Sequence, residues 1–219
     1  MESIFFYVRL LHIILGSVAL LTGFLAIVFR NRINIHKPVG KIYFLSMTVI
    51  YFSAVFMSIY HRNIFLFFIA NFTYFMCVTA YRSLSLKGIL QGQKIPLLDK
   101  VIEGFFLLLH VSFVLIGAYA LFQKNTDAAI LCFVFGGIGL RLNYNNINRF
   151  RGKIKFKNYW LLDHIGNMLG SYIGAITAFL VNNNVWLKLP TVLSWLLPTI
   201  LLVPFIIYEL RKHKKSINL

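Results

Sequence analysis

Imidazole placed at membrane depth is the feature of this chain that first asks for chemistry. Its 219 residues include six histidines, His12, His36, His61, His110, His164 and His213. An ionisable side chain inside a bilayer is costly and usually faces the interior of a helix bundle, so each is a candidate for function. His12 lies within LHIILGSVALLTGFLAIV and His110 within VIEGFFLLLHVSFVLIG. With about 1.5 Å of rise per residue and a hydrocarbon layer about 30 Å thick, His12 sits roughly 12 Å below the outer boundary. His110 sits roughly 14 Å above the inner one, within about 5 Å of His12 in depth. His61 belongs to the outer rim, His36 and His164 to the inner rim, and His213 to a basic tail.

Three chemistries use such residues. Two imidazoles at matched depth on different helices are the axial ligands of a b-type haem, which makes His12 and His110 the first candidate pair. A second cofactor near the inner rim would take His164 with His36, Met168 being the weaker ligand. Zinc is the second chemistry: neutral imidazoles with a carboxylate hold the ion, whose bound water becomes a nucleophile near neutral pH. The residues for it are His36, Asp163 and His164, although adjacent residues on a helix point in different directions. The third is transport or proton relay through Glu103, His110, Arg141, Asp163 and His164. Arg141 is expected to reach the boundary or to pair with Glu103 or Asp163. Against all three stands a scaffold in which histidine, asparagine and serine serve as hydrogen-bonding glue between helices. The expected function is an inward-facing His/acid site for haem or a metal, in redox or metal-linked chemistry. A small-molecule or proton transporter and a non-catalytic membrane scaffold are the alternatives.

The elements that must position these residues follow from composition. Hydrophobic residues make up 59% of the chain and charged residues only 13%, too little charge to solvate the surface of a soluble domain of this size. A spanning helix needs about 20 apolar residues. Cutting the chain at its charged and turn-rich segments leaves seven such runs, at 4–29, 42–60, 64–81, 101–122, 128–147, 161–182 and 190–208. The expected fold is therefore an all-α polytopic bundle of seven transmembrane helices forming a single domain over 1–219.

The net charge of +16 invites a nucleic-acid reading, which its distribution opposes. If the helices alternate in direction, Arg9, Arg62, Lys124 and Lys188 fall on one side and every other lysine and arginine on the opposite side. The positive-inside rule then places the N-terminus outside and the C-terminus in the cytoplasm. The lipid bilayer is the expected partner, with anionic headgroups at the cytoplasmic loops and no nucleic acid.

Helix faces can be read as well. His12, Gly16, Ala19, Gly23 and Ala26 share one face of the first helix, and small residues let helices approach closely in lipid. Leu10, Leu21 and Phe24 suit lipid. Gly166, Gly170 and Gly174 form a similar ridge, and Glu103, His110 and Gly117 share a stripe. The prolines Pro198 and Pro204 should bend the last helix. Tyr43, Tyr51, Tyr60, Tyr159, Trp160 and Trp186 read as interfacial anchors. Cys77 and Cys132 read as two separate packing thiols.

At HIILGSVALLTGFLAIVF and HKPVGKIYFLSM the chain resembles a bacterial family of multi-pass membrane proteins known as domain of unknown function 2306. The likeness rests on His12, Gly16, Ala19, Leu20 and Gly23, then His36, Gly40 and Tyr43, with LLDHIGNMLGSYIGAITAF related further on. The resemblance implies an integral protein of the bacterial cytoplasmic membrane. It carries no activity over to this chain.

Overall fold

A computed structural model describes residues 2–214, apart from the side chains of Trp186 and Leu187. Among the described residues the chain is all-α, with seven helices long and apolar enough to cross a membrane. These are α1 (Glu2–Val28), α2 (Ile33–Tyr60), α3 (Ile64–Ser83), α4 (Leu97–Phe122), α5 (Thr126–Phe150), α6 (Tyr159–Asn182) and α8 (Thr191–His213). The short α7 (Asn184–Leu187) precedes the last of them.

Two of the tight connections use one device, written in HRN and QKN. Arg62 and Lys124 adopt left-handed backbone (φ 52° and 58°), which closes the preceding helix. The asparagine that follows caps the next helix: Asn63 Oδ1 accepts from Leu66 N at 3.0 Å and Asn125 Oδ1 from Ala128 N at 3.2 Å. A short polar side chain at this position satisfies one of the free N–H groups of a helix start. Lys188 (φ 50°) makes a similar left-handed turn before α8.

Contacts at the two ends show the helices alternating in direction. At one end Phe5 of α1 stacks on Tyr60 of α2, ring centres 4.7 Å apart. At the other, Arg30 lies 3.6 Å from Glu209 of α8, and Ser83 donates to Trp160 O at 3.0 Å. The second end gathers the loops rich in lysine and arginine and is called the basic end below.

The small-residue faces meet protein, as expected. Ala19 and Gly23 are buried, and Gly23 packs so closely on the rings of Tyr172 and Tyr43 that a Cβ would overlap them. Leu10, Leu21 and Phe24 are exposed on the opposite side, where lipid would cover them. Gly170 and Gly174 seat Met76 and Thr73 of α3, and Gly166 faces Leu210 of α8. Phe68, Phe113, Phe135 and Trp195 form a closed aromatic layer through the half of the bundle away from the basic end.

Several expectations need correction. α2 begins at Ile33, nine residues before the apolar run, so His36 stands on its first turns rather than on a loop. Hydropathy does not register a helix that continues into the interface, because its polar residues remain helical beyond the hydrocarbon. Tyr43 and Tyr51 are bonded within the bundle instead of anchoring at a boundary, and Tyr159, at the first residue of α6, is bonded to the α3–α4 connection. Tyr43 OH pairs with Ser171 Oγ at 2.8 Å, Tyr51 OH donates to Asn71 Oδ1 at 2.9 Å, and Tyr159 OH donates to Leu86 O.

Candidate functional site

Glycine on α5 brings α4 and α5 close enough for their polar side chains to meet. Gly136 lies against Val114 and the backbone of α4, and Gly139 lies against the imidazole of His110. A Cβ at either place would collide with α4. Toward the basic end, the same strip of α5 carries Asn143, Asn146 and Arg149, each three residues after the last. Facing it, α4 presents His110, Glu103 and Asp99, all buried.

These residues form one chain of contacts. His110 Nδ1 donates to Asn143 Oδ1 at 2.6 Å, and Asn143 Nδ2 donates to Glu103 Oε1 at 2.6 Å. The other oxygen of Glu103 accepts from Asn146 Nδ2 at 2.9 Å. Asn146 Oδ1 accepts from Arg149 Nη2 at 3.0 Å, and Arg149 Nη1 forms an ion pair with Asp163 Oδ2 of α6. Beside the chain, Arg82 of α3 holds Asp99 through two bonds, Nε to Oδ1 at 2.9 Å and Nη2 to Oδ2 at 2.7 Å. Such paired arginine–carboxylate contacts are the stronger and more directional kind.

The orientation of the amides follows from their partners. A carboxylate only accepts, so both asparagine N–H groups must face Glu103. Asn143 Oδ1 is then left to accept from His110, which fixes the neutral ring as the Nδ1–H tautomer. Its Nε2 carries the lone pair, is buried, and has no hydrogen-bond partner among the described residues. The rings of Phe72, Phe75 and Phe106 surround the imidazole, their centres 5.0 to 6.5 Å from its own. At the opposite end of the chain a small cleft, with room for about one water molecule, is lined by Arg82, Asp99, Glu103, Asn146 and Arg149 among others. The polar chain therefore borders a cleft toward the basic end and is closed in by phenyl rings toward the aromatic layer.

The other histidines are bonded separately. Ser53 Oγ, whose own hydrogen goes to Ile50 O at 2.9 Å, accepts from His12 Nδ1 at 2.8 Å. His36 Nδ1 donates to Ala26 O at 3.0 Å and His164 Nδ1 to Ala80 O at 3.1 Å. The rings of His36 and His164 lie 6.2 Å apart, centre to centre. His61 packs edge-on against Phe5, and His213 Nδ1 bonds Glu209 O.

Of the expected pairs, His36 and His164 lie side by side, whereas His12 and His110 are engaged separately. His12 is held by α2, while His110 is enclosed by α3, α4 and α5, its ring pressed against Gly139. No macrocycle fits against an imidazole packed in this way, so a haem bridging those two residues is not compatible with the fold. The set of His36, Asp163 and His164 does not form either: Asp163 is engaged by Arg149, and among the described residues no group of three His, Cys, Asp or Glu is placed to hold a metal.

Arg141 is on the exposed surface with its guanidinium over the Tyr144 ring, 5.5 Å from the centroid. The arginine that meets the acids is Arg149, two helical turns further on. Its basic neighbours make it look like a loop charge, yet α5 continues past the apolar run and carries it inside. Asn143, Asn146, Arg149, Asp99 and Arg82 were the residues hidden from sequence reasoning. One signal was available: Gly136, Gly139, Asn143, Asn146 and Arg149 recur at spacings of three and four, the period of a single helix face.

No family model, curated protein or solved structure matches this chain.

Proposed function

We propose that this protein is a proton transporter of the cell membrane, with Glu103 as its proton acceptor and the basic end in the cytoplasm. The single observation behind this reading is the placement of Glu103. Its carboxylate is 4% exposed within a spanning helix, held by two amides and bordering a cleft toward the basic end. Carboxylates at such depth are rare in membrane proteins and mark proton and ion pathways. Isolated packing glue would need one asparagine, whereas here five ionisable groups, Arg82, Asp99, Glu103, Arg149 and Asp163, adjoin one cleft and its linked chain.

The chemistry follows from lone pairs. Asn143 and Asn146 occupy one acceptor position on each oxygen of Glu103, which leaves others for a proton delivered by water in the cleft. Protonation removes the negative charge opposite Arg149 and alters the bond that Asn143 shares with His110. The His110 ring, with its unpartnered Nε2, is the next acceptor toward the outer half. The phenyl rings around it close that half, so release outward requires the aromatic layer to part, as in alternating access around a site inside the bundle.

The basic end carries the lysine and arginine excess that the positive-inside rule assigns to the cytoplasm, where anionic headgroups would meet it. Distant membership of the family of domain of unknown function 2306, resting on His12, Gly16, Gly23, His36 and Tyr43, belongs to the same proposal.

The test is proton entry into vesicles that contain the purified protein and a pH-sensitive dye, driven by an imposed membrane potential. Entry should exceed that of protein-free vesicles and fall to their level in Glu103→Gln. Entry equal to protein-free vesicles, or unaffected by Glu103→Gln, would overturn the reading.

A further inference from the structure

We propose that His36 and His164 form a binding site for a single copper ion at the basic end of the bundle, a site independent of the Glu103 chain. Three observations converge on it. The rings belong to helices that run in the same direction from the basic end, and they lie 6.2 Å apart with their planes 82° from parallel. Each gives its Nδ1 hydrogen to a backbone carbonyl, His36 to Ala26 of α1 and His164 to Ala80 of α3. That arrangement sets the tautomer, orients the ring and leaves Nε2 with an unshared pair, as the outer shell of a metal site does.

The scaffold also fixes the two helices relative to each other. Two turns further along both of them, seven residues past each histidine, Tyr43 OH bonds Ser171 Oγ at 2.8 Å. The imidazoles are thus held in register before any ion arrives.

Ligand type selects the ion. Two imidazoles and no available carboxylate exclude magnesium and calcium, which require oxygen. A metal about 2.0 Å from each Nε2 lies about 3.2 Å from each ring centre. With both Nε2 atoms turned to one ion, centres 6.2 Å apart would correspond to an N–metal–N angle of about 150°. This is wide of the tetrahedral angle that zinc adopts and close to the trans arrangement of tetragonal Cu(II). Water completes the coordination, since both histidines are only partly buried.

The experiment is titration of the full chain in detergent with Cu(II), read by electron paramagnetic resonance and by the stoichiometry of bound metal. One ion per chain is expected, with splitting from two nitrogen ligands, and affinity at least tenfold weaker in His36→Gln and in His164→Gln. The nitrogen splitting is read on the unaltered protein, so the result does not depend on the variants folding. Absence of nitrogen splitting, affinity in both variants equal to that of the unaltered protein, or preference for Zn(II) over Cu(II) would overturn the proposal. A Soret band in the isolated protein that disappears in either variant would overturn it in favour of haem. Neither set of results bears on proton entry through Glu103.

Discussion

Asn143 of α5 meets Glu103 of α4 with its amide nitrogen 2.6 Å from Oε1, while its carbonyl oxygen takes the His110 hydrogen at the same distance. One fully buried amide thereby satisfies two ionisable residues that stand two turns apart on the neighbouring helix. In a lipid-facing bundle His110, closed in by phenyl rings, has no water to turn to.

Replacing Asn143 by leucine, a residue of similar size, should leave His110 Nδ1 and Glu103 Oε1 without partners. Stranded buried polar groups of this kind cost about 1–3 kcal/mol each when the other partner is removed. Measured interhelical bonds in membrane proteins average nearer 0.6 kcal/mol, because the remaining group finds other partners. A loss of about 2 kcal/mol is the expected outcome for Asn143→Leu, read from unfolding in a mixed-micelle titration.

Two neighbouring glycines of α5 should behave in opposite ways. A Cβ at Gly139 would overlap the His110 ring, whereas one at Gly137 meets nothing within 4 Å. Gly139→Ala should cost about 1–3 kcal/mol by overpacking and separate α4 from α5. Gly137→Ala should be neutral or stabilise by up to about 1 kcal/mol, since alanine favours helix over glycine. Thermal unfolding of the two variants side by side checks both.

The two arginines of α5 separate structure from sequence appearance. Arg149→Met leaves Asp163 without its cation and removes the Asn146 contact. Breaking a fully buried pair costs about 3–5 kcal/mol. Asp163 keeps 28% of its side chain exposed, so a loss of about 2–4 kcal/mol is expected. Restoring neutrality with Asp163→Leu in the same chain should recover part of it. Arg141→Met, at an exposed position, should change stability by no more than about 0.5 kcal/mol.

Orientation can be read by labelling single cysteines in intact cells with a membrane-impermeant maleimide. Lys124→Cys should react from outside, and Lys153→Cys only after the cells are opened. The native thiols Cys77 and Cys132 are both buried and free and should remain unlabelled. Reversed reactivity would place the basic end outside and contradict the charge rule.

The sequence by itself determined that this chain has seven helices long and apolar enough to cross a membrane, where most of them begin and end to within a few residues, and which faces of α1 and α6 meet protein. Those properties are local. They depend on the transfer of apolar side chains and on the 3.6-residue period, both of which a run of residues carries without its neighbours. It also brought His36 and His164 into one hypothesis, because both fall at the same end of an alternating bundle.

Which polar residues actually meet was decided only by tertiary structure. Arg141 and Arg149 are alike in type and near in sequence, yet one faces outward over Tyr144 and the other reaches Asp163. The difference is a rotation about the α5 axis, fixed by Gly136 and Gly139 seating α4. His12 and His110 match in depth and are nonetheless separated, because depth is one coordinate of three. Position within a helix sets height and local face; the packing of small residues across helices sets the neighbour, and a hydrogen bond or ion pair exists only where both agree.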